Sequence, residues 1–467
     1  MAKVYALLSV HTEDCINPET DDVPLRLTQI CTRHGCQAVF KVTTEKARSL
    51  QRNGRQDVLE ALKTQDVGFH MTNHSIPPTV PVYTQDTSWD EGVRAFERAE
   101  RVGYDEWRRI FSRNAFTYCH GVDTPFSLPV LRKWGIPTYT WSCCVGLQGL
   151  PVHYMGLLML PAGSPNGFHL GFRLGESATG EQLISEFDAI YHRLHLGEGG
   201  MLHISSHEVE WVTREFWDEN FRQGKLVLPR EYRKAPIKSR EEIERGYKDL
   251  DDLLAHARAR PDCGIITSPE FYELYRDRLM GAGLSIDEVC DLAEAVLDEI
   301  TFHPLRGQYV SAAETFGVVV AALSHYFSQG RLPETVMLRY YGGPPRHTDT
   351  ATQTDALGPE LLRHVLEGVS DYLEFEERVP AEVWLGNDPV APGDFMATMC
   401  RAVLELRRTG ALPSSIQLQA GNVTCTEYGP SEAQVSTWPA FPPGFADHNG
   451  AAMARLQCWT LKPAVQG

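Results

Sequence analysis

The sequence predicts an α/β fold, in which a parallel sheet or barrel is wrapped by helices and followed by a mostly helical C-terminal region. Short apolar segments of strand length alternate with amphipathic segments of helical period over residues 1–262, as is typical of parallel α/β folds. Ionisable side chains stand where several of these segments end, which is where such folds place their chemistry. From residue 263 onward, long helical segments dominate.

In the first half, predicted strands alternate with predicted helices. Residues 4–10 form a continuous apolar run, and residues 22–34 carry apolar side chains at helical spacing and are followed by a glycine. A charged helical stretch then precedes Pro-Asp-Cys-Gly at residues 261–264, which predicts two domains, 1–262 and 263–467. The predicted strands cover residues 4–10, 37–42, 66–69, 115–119, 136–141 and 200–207, and the predicted helices cover residues 22–34, 44–50, 57–63, 89–101, 125–134 and 230–260.

The second half contains an internal duplication at residues 309–338 and 389–418. Each copy has a helix followed by Gly-x-Leu-Pro-x-x-(Val/Ile)-x-Leu. The glycine can end the helix in the left-handed conformation, and the proline then prevents its continuation. Two copies indicate a duplication rather than a solenoid. The duplicated unit would serve as structural support, as a binding module or as a surface for homo-oligomers.

Composition excludes several classes of function. A chain of 467 residues is expected to form two or three domains. Its net charge of −17 argues against a nucleic-acid partner and against binding to anionic membranes. No apolar run approaches the ~18 residues of a membrane span. The 11 cysteines show no paired CxxC spacing, and the apolar N-terminus is short for a signal peptide, so we expect reduced thiols and a cytoplasmic location.

His70 and His74 are the most informative pair of side chains in the chain. Imidazoles four residues apart can reach one metal ion from the same side of a turn, and a carboxylate from a neighbouring strand end would complete a set of two histidines and one acid. Glu13 and Asp14 follow the first predicted strand and supply such an acid. A set of this kind leaves coordination positions open for water and substrate.

These motifs resemble the polysaccharide deacetylase family, also called NodB-homology or carbohydrate esterase family 4, over residues 1–260. The resemblance implies a distorted (β/α) barrel that binds a divalent metal, with Zn²⁺ as the expected ion. It implies that Asp14, His70 and His74 are the metal ligands. It also implies a carboxylate base, Glu13, for which His11 is the alternative.

A histidine near the last strand of the barrel would act as the acid in this family, and we expect His207, with His203 as the alternative. The chain departs from the family pattern in having Glu-Asp-Cys instead of Asp-Asp-Gly at residues 13–15, and Met71 where serine or threonine is usual. Residues 119–123 replace the Arg-Pro-Pro motif. The predicted substrate-binding residues are His120, Asp123, Trp141 and Trp211.

Together these features predict a metal-dependent hydrolase that removes an N-acyl group, most simply N-acetyl, from an amino sugar or a related amide. Metal-activated water would attack the amide, with a carboxylate as base and a histidine as acid. The alternative is a catalytically degenerate protein that binds glycan or cell wall. In that case the duplicated C-terminal unit would be similar to a pseudomurein-binding repeat.

Overall fold

The computed structural model describes residues 3–119, 124–140, 147, 149–160, 163–430 and 438–467. The first half contains ten strands among the described residues. In chain order they are β1 (Val4–Thr12), β2 (Val39–Val42), β3 (Asp66–Phe69), β4 (Thr117–Tyr118), β5 (Thr138–Thr140), β6 (Val152–Tyr154), β7 (Leu157–Leu160), β8 (Gly167–His169), β9 (Gly200–His207) and β10 (Cys263–Ile265).

Ten helices of the described residues accompany these strands, and all but the last of them lie outside the curl of the sheet. They are α1 (Val23–Arg33), α2 (Thr44–Arg52), α3 (Gln56–Lys63), α4 (Val80–Thr84), α5 (Trp89–Phe111), α6 (Ser127–Lys133), α7 (Thr179–Leu196), α8 (Val209–Val212), α9 (Arg240–Arg258) and α10 (Ser268–Tyr275). Short 3-10 helices cover Pro18–Asp22, Trp217–Gly224 and Pro229–Glu231. Helix α9 begins with a capping box, in which the side chains of Ser239 and Glu242 accept hydrogen bonds from each other's backbone N–H.

The C-terminal region repeats one order of elements: strand, helix, hairpin, helix, strand. The first copy is β11 (Gly283–Ser285), α11 (Ile286–Asp298), β12 (His303–Leu305), β13 (Gln308–Val310), α12 (Ala312–Gln329) and β14 (Thr335–Met337), and the second is β15 (Ala356–Leu357), α13 (Pro359–Glu376), β16 (Val383–Leu385), β17 (Asp388–Val390), α14 (Pro392–Thr409) and β18 (Ile416–Gln417). The 3-10 helices Cys425–Tyr428 and Cys458–Thr460, helix α15 (His448–Gln457) and strand β19 (Lys462–Pro463) complete the described chain.

The structure therefore extends the repeated unit beyond the two stretches recognised in the sequence. Helices α12 and α14 both end at a glycine in the left-handed conformation, Gly330 with φ 70° and Gly410 with φ 78°. Helix α11 packs against α14, and α12 packs against both α13 and α14. Their apolar side chains form one core that is separate from the core of the sheet.

The fold class is the expected distorted (β/α) barrel followed by a mostly helical region. Eleven strands form one curled sheet in the order β19-β6-β7-β5-β4-β3-β2-β1-β9-β8, with β10 paired to the start of β1. Strands β1 to β5, β8, β9 and β10 run parallel to their partners. Strand β7 is parallel to β5 and antiparallel to β6, and β6 is also antiparallel to β19. The outermost strands do not pair with each other among the described residues, so the barrel is incomplete.

The sheet curls around helix α10, which fills the lower part of its inner face. Phe271 and Tyr275 of this helix pack against apolar side chains from four strands, namely Leu7, Val39, Leu158, Leu160 and Met201. At the carboxyl end of the strands the inner face becomes polar: His11 of β1 is in register with Lys41 of β2 and with His207 of β9. In-register residues of neighbouring strands point to the same face, so these side chains share one interior.

The elements just beyond the predicted domain boundary at residue 262 belong to the sheet. Strand β10 pairs with β1, helix α10 packs on the inner face of the sheet, and β19 from the far end of the chain adds to its edge beside β6. The division into two domains stays a prediction. Among the described residues, no helix combines the length and the apolar character that crossing a membrane requires. The nine cysteines of this part of the chain form no disulfide.

Candidate metal centre

Glu13, at the end of β1, is the carboxylate that the structure brings to the two histidines. Its Oε2 lies 2.9 Å from His70 Nε2 and 3.3 Å from His74 Nε2, and all three side chains are buried. Although burial raises the pKa of Glu13, the neighbouring His74 and His70 lower it well below its usual range. Trp217 Nε1 donates a long hydrogen bond of 3.5 Å to Oε1 of the same carboxylate.

The protons on both imidazoles are held on the nitrogens that face away from Glu13. His70 Nδ1 lies 2.8 Å from the carbonyl oxygen of Cys119, which can only accept a hydrogen bond. His74 Nδ1 lies 2.7 Å from Ser75 Oγ, and Ser75 donates its own proton to Asp218 at 2.9 Å. When the rings are neutral, both Nε2 atoms therefore carry lone pairs.

These three atoms fit a divalent metal ion. Both imidazole lone pairs face the Glu13 carboxylate in a buried space where His11, Glu13 and His70 offer ligand atoms within 4.8 Å of one another, and His74 Nε2 has no hydrogen-bond partner among the described residues. Converging acceptors repel one another unless a proton or a cation stands between them. Two nitrogens and one oxygen form a donor set that Zn²⁺ and related transition metals accept. The residues present thus meet the chemical requirement of the expected ion.

A strained turn presents the two histidines, and we call residues 70–74 the histidine turn. It follows β3 directly, and Met71 and His74 adopt positive φ angles of 65° and 49°, which are uncommon for residues other than glycine. Glu100 of α5 holds the turn, since its Oε2 accepts hydrogen bonds from Thr72 N at 2.7 Å and from Thr72 Oγ1 at 2.8 Å. Gly103 of the same helix allows Thr72 to approach the helix backbone closely.

Asp14, predicted as the metal ligand, instead organises the chain after β1. Its Oδ1 accepts hydrogen bonds from Ile16 N at 2.8 Å and Asn17 N at 3.0 Å, and its Oδ2 accepts one from Asn17 Nδ2 at 2.8 Å. Its carbonyl oxygen accepts a hydrogen bond from the buried Lys46 at 2.7 Å. The structure thus brings Glu13, not Asp14, to the histidines, and the ligand role of Asp14 stays a prediction.

Glu208, directly after β9, fixes the backbone of the acid pair. Its Oε1 accepts hydrogen bonds from the N–H groups of both Glu13 and Asp14. Burial raises the pKa of Glu208 to about 8, even though the ammonium of Lys46 acts in the opposite direction. This carboxyl group therefore sets the direction in which the Glu13 side chain leaves the strand, and it does so without contacting the histidines itself.

His207, the predicted acid, lies at the end of β9 beside the metal centre. Its ring centroid is 4.5 Å from that of His11, which in turn is 4.8 Å from that of His70. Glu210 Oε2 accepts a hydrogen bond from His207 N, and Oε1 lies 3.5 Å from His207 Nδ1 and 2.6 Å from His169 Nε2. Burial lowers the pKa of His207, but the Glu210 carboxylate reverses this and raises it to about 9.

His11 has the opposite electrostatic environment. Burial, followed by repulsion from His207 and His70, lowers its pKa well below the ordinary value. Its Nε2 lies 3.6 Å from Cys119 Sγ. Neighbouring imidazoles with pKa values displaced in opposite directions are suited to opposite roles, the neutral ring as proton acceptor and the cationic ring as proton donor.

The remaining predicted site residues lie farther away or outside the described residues. His203 is four residues before His207 on β9, and burial lowers its pKa to about 3. Trp211 is buried in the core, where its ring stacks on Tyr247 with centroids 5.3 Å apart, so its position is that of a packing residue. The predicted substrate-binding residues His120, Asp123 and Trp141 lie outside the described residues.

Trp438, which the sequence did not indicate, reaches the site from the C-terminal region. Its half-buried ring lies 5.2 Å from that of His74 in an edge-to-face arrangement. Phe441 packs against it, and Gln223 N donates a hydrogen bond to the carbonyl oxygen of Pro439, which ties this segment to the barrel. A single tryptophan in a proline-rich stretch carries no periodic signal, so only the packing identifies it.

No family model matches this chain, and neither does any curated protein. Among solved structures, it is similar to a protein assigned as a polysaccharide deacetylase from Mycobacterium smegmatis, with 10% identity, a TM-score of 0.38, and coverage of 58% of this chain and 90% of that chain. A protein assigned likewise from Pseudomonas aeruginosa has 9% identity, a TM-score of 0.39 and coverage of 58% and 92%.

The 4-alpha-glucanotransferase from Thermococcus litoralis is similar at the same level, with 10% identity, a TM-score of 0.38 and coverage of 58% of this chain. The chain spans 40% of the length of that protein. These likenesses concern the fold at low TM-scores, and the function proposed below depends instead on the geometry of the site.

Proposed function

We propose that this protein is a metal-dependent hydrolase that removes an N-acyl group from an amino sugar or a related amide. The observation that carries the proposal is the convergence of His70 Nε2, His74 Nε2 and a Glu13 oxygen, with the proton of each imidazole held on its other nitrogen. A packed apolar cluster would serve any structural purpose at a lower cost in desolvation, so packing alone does not account for a buried set of this composition.

Glu13, His70 and His74 would hold the ion, with Zn²⁺ as the expected metal. When bound, the metal would polarise the amide carbonyl and make a water molecule acidic enough to react near neutral pH. Cys119 and Ser75 orient the two imidazoles through their hydrogen bonds, and Glu208 orients Glu13 through the backbone. The deacetylase resemblance implies that Glu13 is the base, whereas in the proposed mechanism Glu13 would bind the metal.

The proton transfers would then fall to the two histidines beside the metal centre. His11 is kept neutral by burial and by its neighbours, so its imidazole can take a proton from the attacking water. His207 is kept protonated by Glu210, so it can give a proton to the nitrogen of the departing amine. Their ring centroids are 4.5 Å apart, and this short separation supports the assignment of both rings to one amide.

The substrate would lie between the metal centre and Trp438. A half-exposed tryptophan ring beside a metal site offers a flat apolar face on which a sugar ring can pack. This supports an amino sugar as the amine part of the amide, whether free or within a glycan. The same proposal includes three finer points: the attachment of the acyl group through nitrogen, the acetyl identity of that group, and any role of the C-terminal region in homo-oligomers.

The test measures metal and acetate together. Purified wild type, Glu13→Gln, His70→Ala and His74→Ala would be analysed for zinc and assayed for acetate release from N-acetylglucosamine and its oligomers. His192→Ala is the matched control, because His192 is exposed on α7. We expect about one zinc per chain in the wild type and control, and loss of zinc and of acetate release in the other three variants.

Protein that takes up no zinc on titration would refute the hydrolase, and retained binding of the same oligomers would then favour the glycan-binding alternative. If zinc binds through the three residues but no acetate is released, the metal centre is supported and the N-acetyl assignment is wrong.

A further inference from the structure

The interior of the sheet, below the metal centre, contains a group of buried polar side chains without partners. Gly68, in register with Lys41, lacks a side chain there, and a Cβ at this position would lie 3.0 Å from Lys41 Cδ and 2.5 Å from Thr117 Cγ2. The Lys41 side chain therefore crosses the inner face toward β4. The inner polar layer consists of Ser9, Lys41, Thr117, Thr140 and His203, and within the described chain none of their side-chain polar atoms has a hydrogen-bond partner.

Lys41 differs in this respect from every other buried lysine of the described residues. Lys46 donates to a carbonyl, a hydroxyl and a carboxylate, Lys238 to three backbone carbonyls, and Lys462 to two carboxylates. The Lys41 side chain is fully buried, yet its Nζ has neither a hydrogen bond nor an ion pair with the residues that the structure describes. The described part of the fold therefore compensates the other buried ammonium groups and provides no such compensation for this one.

An uncompensated buried charge costs several kcal/mol, so the Lys41 ammonium calls for a partner beyond the residues that the structure describes. Asp66 attracts Lys41 electrostatically, but its Oδ2 accepts a hydrogen bond from Ser268 N, below the sheet. Five polar groups that share one interior are a place for water or for a polar part of a ligand. Of the ligand groups that could enter, an anion gains most from the ammonium.

The inner polar layer lies next to the metal centre. Lys41 is in register with His11, and the His11 ring lies beside those of His70 and His207. Cys119 links the two levels, because its sulfur lies 3.6 Å from His11 Nε2 and negative charge on it would raise the pKa of Lys41. A ligand whose amide reached the metal centre could thus extend one arm down to Lys41.

We propose that Lys41 binds a carboxylate or phosphate of the substrate, so that the amide hydrolysed at the metal centre belongs to an anionic molecule. The proposal rests on the proposed function in placing the reacting amide at the metal, but the anion site itself can be tested without turnover. The charge could lie on the acyl side, as in a dicarboxylic acyl group, or on the amine side, as in a sugar phosphate.

The first experiment measures anion binding to the zinc-loaded full chain by calorimetry, with inorganic phosphate as the probe. The variants are Lys41→Met, which keeps the length of the side chain and removes the charge, and Lys225→Met, which makes the same change of net charge at an exposed position. We expect Lys41→Met to weaken phosphate binding by about 10- to 100-fold, the value of a charge-assisted hydrogen bond, and Lys225→Met to leave it unchanged.

Phosphate that binds Lys41→Met as tightly as the wild type would overturn the proposal. Chemical denaturation of the same variants provides a check on folding. Because the ammonium makes no hydrogen bond in the described structure, Lys41→Met should unfold at the same or a higher denaturant concentration than the wild type. A large loss of stability would mean that Lys41 has a structural role, and Lys41→Gln would then replace it in the phosphate titration.

The second experiment compares acetate or succinate release from three substrates: N-acetylglucosamine, N-acetylglucosamine 6-phosphate and N-succinylglucosamine. The ratio of kcat/KM for an anionic substrate to that for the neutral one should fall about 10- to 100-fold in Lys41→Met. The anionic substrate that shows the fall identifies the side on which the charge lies. Equal ratios in both proteins would overturn the proposal. If the wild type hydrolyses none of the three, the proposed function fails, and calorimetry still decides the anion site.

Discussion

The exchange Glu13→Gln, paired with Asp14→Asn, is expected to separate metal binding from folding at two adjacent residues. Glu13 Oε2 lies between two imidazole nitrogens, whereas both Asp14 carboxylate oxygens accept hydrogen bonds from the turn that follows β1. Glutamine keeps the shape of glutamate but removes the negative charge from the candidate metal site. Loss of an indirect contact to a metal ligand typically costs 10- to 100-fold in affinity, so loss of this charged ligand should lower zinc affinity by about 100-fold or more.

For Asp14→Asn, the expected loss is in stability. Its Oδ1 could still accept hydrogen bonds from the two backbone N–H groups, but an amide nitrogen would then face Asn17 Nδ2, which is also a donor. Asn17 cannot turn around to accept, because its Oδ1 already accepts a hydrogen bond from Ala235 N at 2.8 Å. One charge-assisted hydrogen bond is lost, so the free energy of unfolding should fall by about 1.5–3 kcal/mol.

Two measurements check this pair. Competition with a chromophoric chelator measures zinc affinity, and urea denaturation in the presence of a strong chelator measures the free energy of unfolding of the metal-free chain. We expect Asp14→Asn to keep zinc affinity within about tenfold of the wild type. If folded Asp14→Asn loses zinc as completely as Glu13→Gln, then Asp14 is the ligand, as the family resemblance implies, and the reasoning from the observed geometry is refuted.

Three further predictions concern the surroundings of the metal centre. Burial lowers the pKa of His207, but the Glu210 carboxylate more than reverses this effect and raises it to about 9. Glu210→Gln should therefore move the alkaline limb of the kcat/KM profile about one pH unit or more toward acid. An unmoved limb would exclude His207 as the acid. Trp438→Ala should raise KM for an N-acetyl amino sugar by about 3- to 10-fold, with Trp438→Phe retaining most binding; a fall in kcat alone would contradict a stacking role. Gly103→Ala should lower zinc affinity, because its Cβ would lie 2.0 Å from Thr72 Oγ1 of the histidine turn. The control Gly246→Ala, also in a helix, would have its nearest neighbouring atom at 3.5 Å and should bind zinc normally.

Much of the fold follows from local patterns in the chain. The strands predicted at residues 66–69 and 200–207 have those bounds in the structure, and the first strand extends two residues beyond its predicted end. Periodicity succeeded here because these strands are buried and consist of continuous runs. It missed β6, β7 and β8, which have three or four residues each, and it ended α5 ten residues early. Short strands depend on pairing with neighbours that are distant in sequence.

The candidate site is likewise visible in the sequence only in part. The spacing of His70 and His74 and their nearness to an acidic pair are visible in the sequence, and so is a late strand that ends at His207. The sequence does not show which acid meets the histidines, because the side chains of adjacent residues at a strand end leave the backbone in different directions. That choice is made by Glu208 of a distant strand, which accepts hydrogen bonds from both backbone N–H groups.

By itself, the sequence determined the kinds of donor atom, the alternation of strands and helices that carries them to one edge of a sheet, and the repeated element in the C-terminal region. Only the tertiary structure decided that Glu13 is the acid at the histidines, that Glu210 raises the pKa of His207, that Trp438 lies beside His74, and that Lys41 is buried without a partner among the described residues. The reason is physical. Hydrophobic periodicity acts within a segment, whereas burial, hydrogen bonding and charge compensation arise between segments that meet only in the folded chain.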